Sequence, residues 1–291
     1  MLSAMVLEEG STVHLTQAMV VSRESVPGTG FVMLQLQTHE LASLARPGQF
    51  VQVRLDPLLP LRRALSILDA EPATGRLVLL VQQQGQTGER LGGISPGAYL
   101  DLLGPLGHGF HYHRRRPTPL LVGEGIHAVS MLFLACFLQR RGIQPHLWLA
   151  ATPPLMRQDA APEEVSRWLE RRGIAAHLVV AGSDAPAPSM DASGQIGALV
   201  AGFLDQGPHQ QGSCELFVGG GRRLLQVFGQ LAASRRLPAQ AAVFAPMACA
   251  LGGCWGCAVP LYGRSSTRMV RGCLEGPVLP LRRLTPQASP A

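Results

Sequence analysis

Met247-Ala-Cys-Ala-Leu-Gly-Gly-Cys-Trp-Gly-Cys257 sets three cysteines at the spacing C-x4-C-x2-C, and a fourth, Cys273, follows after fifteen residues. Small residues between the cysteines let the backbone turn tightly and aim amide N–H groups at the sulfurs, as the cage of a two-iron, two-sulfur cluster requires. Cys249, Cys254, Cys257 and Cys273 are the candidate ligands. A four-thiolate cage also suits structural zinc, and cysteines also act as small buried hydrophobes. Zinc sites usually set their ligands in two C-x2-C-like knuckles, whereas three of these crowd one loop, which favours the cluster. Cys136, inside the apolar run Met131–Leu138, and Cys214, just before Glu215-Leu-Phe-Val, fall outside the pattern and are expected in the core.

Upstream of this segment the chain changes rhythm once. From Thr12 to Leu103, short β-rich runs (32–37, 49–55, 77–81 and 99–103) are cut by Pro27-Gly28, Pro47-Gly48 and Pro96-Gly97. This pattern predicts a small antiparallel barrel. After Arg116, apolar strand-like runs at 120–123, 146–150, 175–181, 215–219 and 241–245 alternate with helical stretches ending near Arg141, over 163–172 and over 222–235. Strands alternating with helices predict a parallel sheet of the α/β kind. Two loops rich in proline and alanine, 151–162 and 183–193, and a tail, 285–291, are expected to lie outside the fold. The expected organisation is a barrel over 12–112, an α/β domain of nucleotide-binding type over 117–245 and a small C-terminal 2Fe-2S lobe over 246–283.

The 291 residues are 46% hydrophobic and 15% charged, a globular composition. The longest apolar run, Ala128–Leu138, is too short to span a bilayer. With no basic region ahead of an apolar stretch near Met1, the chain is expected to be cytoplasmic, where cysteines serve as ligands rather than disulfides. The net charge of +6 comes mostly from scattered arginine pairs and Arg114-Arg-Arg, and only 5% of residues are aromatic. Nucleic-acid binding wants a concentrated basic face with interleaved aromatics and is not expected.

A second signal stands in the barrel region, at Pro60-Leu-Arg-Arg-Ala-Leu-Ser-Ile67. Arg63 on a strand edge suits a bidentate hold on pyrophosphate, and Ser66 suits a hydrogen bond to a flavin ring edge. The competing reading is a solvated Arg62-Arg63 pair. Val81-Gln-Gln-Gln-Gly-Gln-Thr-Gly88 and Gly104-Pro-Leu-Gly-His-Gly-Phe110 follow, the latter poor in side chains and open to the approach of a cofactor. His108, His111 and His113 invite a metal reading, but two alternating histidines without a carboxylate or cysteine make a poor cage, and a solvated loop is the better expectation.

Together with the cysteines, these blocks resemble the electron-transfer subunits of NAD-dependent dihydroorotate dehydrogenase, within the ferredoxin-reductase-like flavoproteins. The likeness runs from about Thr12 to Leu281 and is most specific at 61–67, 104–110, 247–257 and Cys273-Leu-Glu-Gly-Pro-Val278. It implies FAD at Arg63, Ala64, Leu65 and Ser66, at Leu80, Val81 and Gln82, and at Thr87 and Gly88. It also implies a 2Fe-2S cluster on the four cysteines and a catalytic partner subunit that oxidises dihydroorotate in pyrimidine synthesis.

Several positions depart from the family pattern. Gln82 stands where a basic residue is usual, and Thr87-Gly88 reverses a Gly-Thr pair. The family loop Gly-Gly-Gly-x-Gly-x-x-Pro is here Gly123-Glu-Gly-Ile-His-Ala-Val-Ser130, and a Cys-Gly-Pro turn is replaced by Gly219-Gly-Gly-Arg-Arg223. NAD(H) is thus either retained through the glycines with Arg222 or Arg223, or lost in favour of electrons from a protein. Two further readings stand beside the first: a related flavin reductase serving a hydrogenase-like or hydroxylase partner, and a zinc-bound scaffold without enzymatic activity.

Overall fold

The structure, a computed structural model, describes residues 5–6, 12–55, 61–114, 116–151, 162–180, 191–206, 213–263 and 265–285. Its first part contains β1 (Met5–Val6), β2 (Thr12–Ser25), β3 (Phe31–Gln37), α1 (His39–Leu44), β4 (Phe50–Arg54), β5 (Arg63–Glu71), β6 (Arg76–Gln82), α2 (Gly85–Gly92) and β7 (Tyr99–Leu106). The strands lie in the order β1-β2-β3-β6-β5-β4-β7, and β2 also pairs with β7, which closes six antiparallel strands into a barrel. Successive side chains on a strand point to opposite faces, so Val32, Leu34 and Leu36 of β3 meet Leu77, Leu79 and Val81 of β6 inside it.

The second part holds β8 (Thr118–Glu124), α3 (Ala128–Gln139), β9 (His146–Ala151), α4 (Pro162–Glu170), β10 (His177–Val180), α5 (Ala192–Gln206), β11 (Cys214–Gly219), α6 (Arg222–Ser234) and β12 (Ala239–Ala242). Its sheet runs β10-β9-β8-β11-β12, all parallel. Helix α3 is apolar all round, and a helix of that kind is buried on every side. Leu132 and Leu134 share a core with Leu121 and Phe217 of the sheet, whereas Phe133 and Phe137 turn into the barrel core. At the end of this helix Arg140 grips Asp69 of β5 with two bonds, at 2.6 and 3.0 Å, and Arg76 holds the same carboxylate at 2.8 Å. One core cluster therefore spans barrel and α/β sheet, and α3 also reaches into the barrel core.

Beyond Ala242 the chain leaves the sheet, forms the hairpin β13 (Ala258–Tyr262) and β14 (Thr267–Arg271), and returns as β15 (Val278–Pro280). β15 pairs antiparallel with β12 and becomes the sheet's edge. Among the described residues no helix is long and apolar enough to cross a membrane.

The barrel and the parallel sheet stand as the sequence pattern predicts, with differences at the margins. The strand expected at 241–245 begins two residues earlier, at Ala239, because its partner is Leu216 of β11. Of the two expected loops, Ala151 closes β9, Pro162 opens α4, and Ala192 and Ser193 are buried in α5. Their interiors, like Arg115 and residues 286–291, lie outside the described residues. Thr285 is no frayed end: a Cβ placed on Gly229 of α6 would meet its hydroxyl at 2.8 Å.

Candidate functional site

The cysteine loop owes its curvature to three residues in the left-handed region, Ala250 (φ 54°), Gly252 (φ 78°) and Trp255 (φ 57°). Only glycine adopts this region without cost, and at Gly252 a Cβ would also lie 2.3 Å from the Leu274 side chain. The turns direct amides at sulfur: Leu251 N–H donates to Cys249 Sγ and Gly256 N–H to Cys254 Sγ, each at 3.4 Å. The Leu251 amide in particular lowers the Cys249 thiol to about 7. On the opposite side Cys257 and Cys273 stand with their sulfurs 3.3 Å apart. Burial, then the neighbouring Cys257 thiol, pushes Cys273 up to about 12.

The thiols thus form two pairs, since Cys254 also donates to Cys249. Two pairs are what a two-iron cluster asks of its protein, whereas a tetrahedral single ion needs four ligands around one centre. Among the described residues no three His, Cys, Asp or Glu side chains gather closely enough to hold a metal ion, so the fit rests on the two thiol pairs and the amides aimed at their sulfurs. The donor set fits the cluster.

The barrel opens next to this loop. The ladder between β5 and β6 ends at Ile67 opposite Leu79. Beyond that point Arg63–Ser66 pair only with β4, and Leu80–Gln82 only with β3. The two strands part, and their facing edges form the lips of a slot. All seven residues expected on these strands to touch flavin lie on those lips. Thr87 and Gly88 lie in the first turn of α2, which starts three residues after β6 ends. A Cβ on Gly88 would stand 2.3 Å from the Gln82 carbonyl oxygen, so glycine lets the helix start close against the strand.

The arginine pair resolves into two roles. Arg62 is bonded to Asp101 at 2.8 Å, alongside Arg54 at 2.5 Å, while Arg63 is exposed and, among the described residues, bonds the carbonyl of Arg62 at 3.4 Å. Asp101 was not singled out from the sequence. A carboxylate in the apolar stretch Tyr99-Leu-Asp-Leu-Leu103 is the signal for it, because a partly buried charge among apolar neighbours requires a partner. Slot and cage also touch: Ala64 packs in the same apolar cluster as Phe50, Leu106, Cys257 and Cys273. An ordered flavin–cluster arrangement requires such adjacency.

Other readings are corrected. The glycines of Gly104–Phe110 are taken up in packing. A Cβ on Gly107 would meet Pro277 at 2.5 Å, one on Gly109 would meet the Pro47 carbonyl at 2.8 Å, and His108 N–H donates to Gly276. These glycines let barrel and cysteine lobe close on each other. The histidine stretch is solvated as expected, His108, His111 and His113 being exposed, and it is also tied down, with His113 Nδ1 3.1 Å from the buried Glu215 carboxylate and His111 N–H donating to Gln240 at 3.0 Å. It borders a cleft of about 1040 Å³ at the start of β11 and β12, the far end of the sheet from its helix N-termini. Cys136 and Cys214 are packing residues; burial pushes the Cys136 thiol up to about 11.

Comparison with known proteins gives the same picture. Residues 245–285 match the family described as the iron–sulfur cluster binding domain of dihydroorotate dehydrogenase B. The electron transfer subunit of dihydroorotate dehydrogenase B (NAD(+)) from Desulforamulus reducens is 28% identical over 251 residues, 85% of this chain and 89% of that protein. Its counterpart from Geobacillus thermodenitrificans is 34% identical over 137 residues, 43% of this chain and 52% of that protein. Among solved structures, a chain of the NADH-dependent reduced ferredoxin–NADP oxidoreductase, studied for flavin-based electron bifurcation, superposes with a TM-score of 0.70 at 19% identity, covering 92% of this chain and 89% of that one. The ferredoxin reductase of carbazole 1,9a-dioxygenase gives a TM-score of 0.55 at 18% identity over 78% of this chain and 67% of that one. The chain is thus similar over most of its length to electron transfer subunits of dihydroorotate dehydrogenase B, and its fold is that of the ferredoxin reductases.

Proposed function

We propose that the chain is the electron-transfer flavoprotein subunit of an oxidoreductase, with FAD in the barrel slot and a 2Fe-2S cluster on Cys249, Cys254, Cys257 and Cys273. The observation that carries this reading is the adjacency just described, in which Ala64 of one lip packs against the apolar cluster that holds two of the four cysteines. Flavin exchanges electrons in pairs or singly and the cluster exchanges them singly, so the couple adapts a two-electron reaction to one-electron steps.

In this reading the protein's work is placement. Arg63 holds a phosphate, and the strand edges of Ala64–Ser66 and Leu80–Gln82 offer backbone donors and acceptors to the ring and its chain. Thr87 and Gly88 bring the free amides of the α2 N-terminus toward negative charge. The Leu251 and Gly256 amides stabilise negative charge on sulfur and raise the reduction potential. Residues 12–112, 117–245 and 246–283 serve respectively as flavin domain, nucleotide-binding-like domain and cluster lobe. The catalytic partner is a dehydrogenase subunit, by likeness one that oxidises dihydroorotate, in a cytoplasmic hetero-oligomer.

Anaerobic purification tests this. The visible spectrum is expected to show flavin bands with a broad reddish shoulder, and a dihydroorotate-oxidising subunit is expected to co-purify. A colourless, zinc-containing protein sinks the reading; a coloured protein with another partner leaves the electron carrier and removes dihydroorotate. Arg63→Ala is expected to weaken FAD by about 10- to 100-fold, the loss of one charge-assisted phosphate contact, with the melting temperature of the flavin-free protein unchanged. Fluorescence titration of stripped protein with FAD measures it.

A further inference from the structure

In the parallel sheet the chain steps from β8 to β9 and β10 on one side and to β11 and β12 on the other. The crevice between β8 and β11, outside their carboxyl ends, is where an open α/β sheet receives a dinucleotide, with the pyrophosphate on free amides at helix N-termini. β8 and β11 are in register there, Gly123 opposite Gly219. The residues that follow each of them decide what the crevice admits.

Glu124, the last residue of β8, accepts the Gly221 N–H on its carboxylate at 3.1 Å. Gly221 is the cap of α6, so this amide is one that a phosphate would need. The chain's own carboxylate already answers it, and a second anion brought alongside meets like charge in a partly desolvated place. The β8–α3 side is also lined by side chains. His127 sets its ring edge-on to Phe244, with centroids 4.5 Å apart, and its Nδ1 is buried without a hydrogen-bond partner among the described residues. Burial lowers the His127 pKa, so the ring stays neutral and offers a phosphate no positive charge. Its backbone carbonyl accepts the Ser130 hydroxyl at 3.0 Å and lies 2.5 Å from where a Cβ on Gly219 would stand. Of the two arginines opening α6, both exposed, Arg223 bonds Asp191 at 3.0 Å. Two guanidiniums at the rim, one already answered by a carboxylate, do not make a pyrophosphate cradle.

We infer that Glu124 occupies the anion position of this crevice, with His127 and Phe244 filling the space beside it, and that the domain therefore binds no nicotinamide dinucleotide. Resting on the electron-transfer reading above, this means that the flavin exchanges electrons with protein-borne redox centres and not with NADH.

The test uses ADP-ribose, which carries the pyrophosphate but no redox group, measured by calorimetry on the purified full chain, with NADH bleaching of the flavin followed in parallel. The unaltered protein is expected to show no ADP-ribose binding and no bleaching up to about 1 mM, the upper end of ordinary substrate affinities. Glu124→Gly, which frees the Gly221 amide and removes the charge, is expected to gain ADP-ribose affinity by about tenfold or more, the scale of one charge-assisted hydrogen bond. Glu124→Gln, which removes only the charge, is expected to gain less and serves if the glycine variant does not fold. Micromolar binding by the unaltered protein overturns the inference, as does a folded variant that gains nothing. ADP-ribose binding needs no flavin, so a protein purified without flavin counts against the electron-transfer reading alone.

Discussion

Cys254→Ser is expected to lower electron transfer through the cluster by more than about 100-fold while flavin stays bound, since changes merely behind a metal ligand already cost 10- to 100-fold. Cys254 is the exposed member of the four and packs in none of the apolar cores, so its replacement leaves the fold intact. Its sulfur both accepts the Gly256 amide and donates to Cys249, so serine unsettles one thiol pair directly and leaves Cys257 and Cys273 in place. The measurements are the reddish absorbance shoulder and the rate of reduction of a one-electron acceptor, each against the flavin bands of the same sample. Cys136→Ser is the control: that thiol lies in the barrel–sheet interior and is expected to change neither signal. Unchanged transfer in Cys254→Ser refutes the cluster assignment.

Phe133→Ala is expected to destabilise the protein by about 3–5 kcal/mol, as truncation of a fully buried phenylalanine usually does. The residue is 0% exposed and reaches from α3 of the α/β part into the barrel core beside Leu41 and Ile67. Its loss leaves a void at the junction rather than inside one unit, and the Arg140–Asp69 grip at the end of the same helix remains to hold the parts together. Thermal unfolding followed by circular dichroism is expected to show a midpoint lower by roughly 10 °C. Separation into two transitions would show that the interior shared across α3 is what makes unfolding cooperative. A shift below about 2 °C counts against that shared interior.

Much of this arrangement was legible in the residues. The cysteine spacing needs no tertiary information, because three of the proposed ligands share one loop, where Cys249 and Cys254 lie within hydrogen-bonding reach. The alternation of apolar runs with helical stretches placed β8 through β12. What stayed hidden depends on contacts distant in sequence. Helix α5 carries glycines at 194, 197 and 202, which lower helix propensity; it holds by burying Ile196 and Val200, and Gly197 permits close contact with Val227 of α6. The hairpin β13–β14 has only short alternation, interrupted by Pro260. The roles of Arg62 and Arg63 differ only because Asp101 stands two strands away, and no pattern within Pro60–Ile67 distinguishes the two. Glu124 and His127 announced themselves as departures, but their effect depends on Gly221 and Phe244, about 100 residues further along.

The return of the chain through β15 bears on how a partner must approach. Val243 N–H donates to the Pro277 carbonyl at 2.9 Å, and Ala242 lies opposite Val278, so the cysteine lobe is pinned to the sheet where it departs and where it comes back. A domain hung on a single linker can swing between donor and acceptor like a courier. This one is stapled at both ends and works as a fixed terminal, so the docking enzyme has to bring its own redox centre to the lobe.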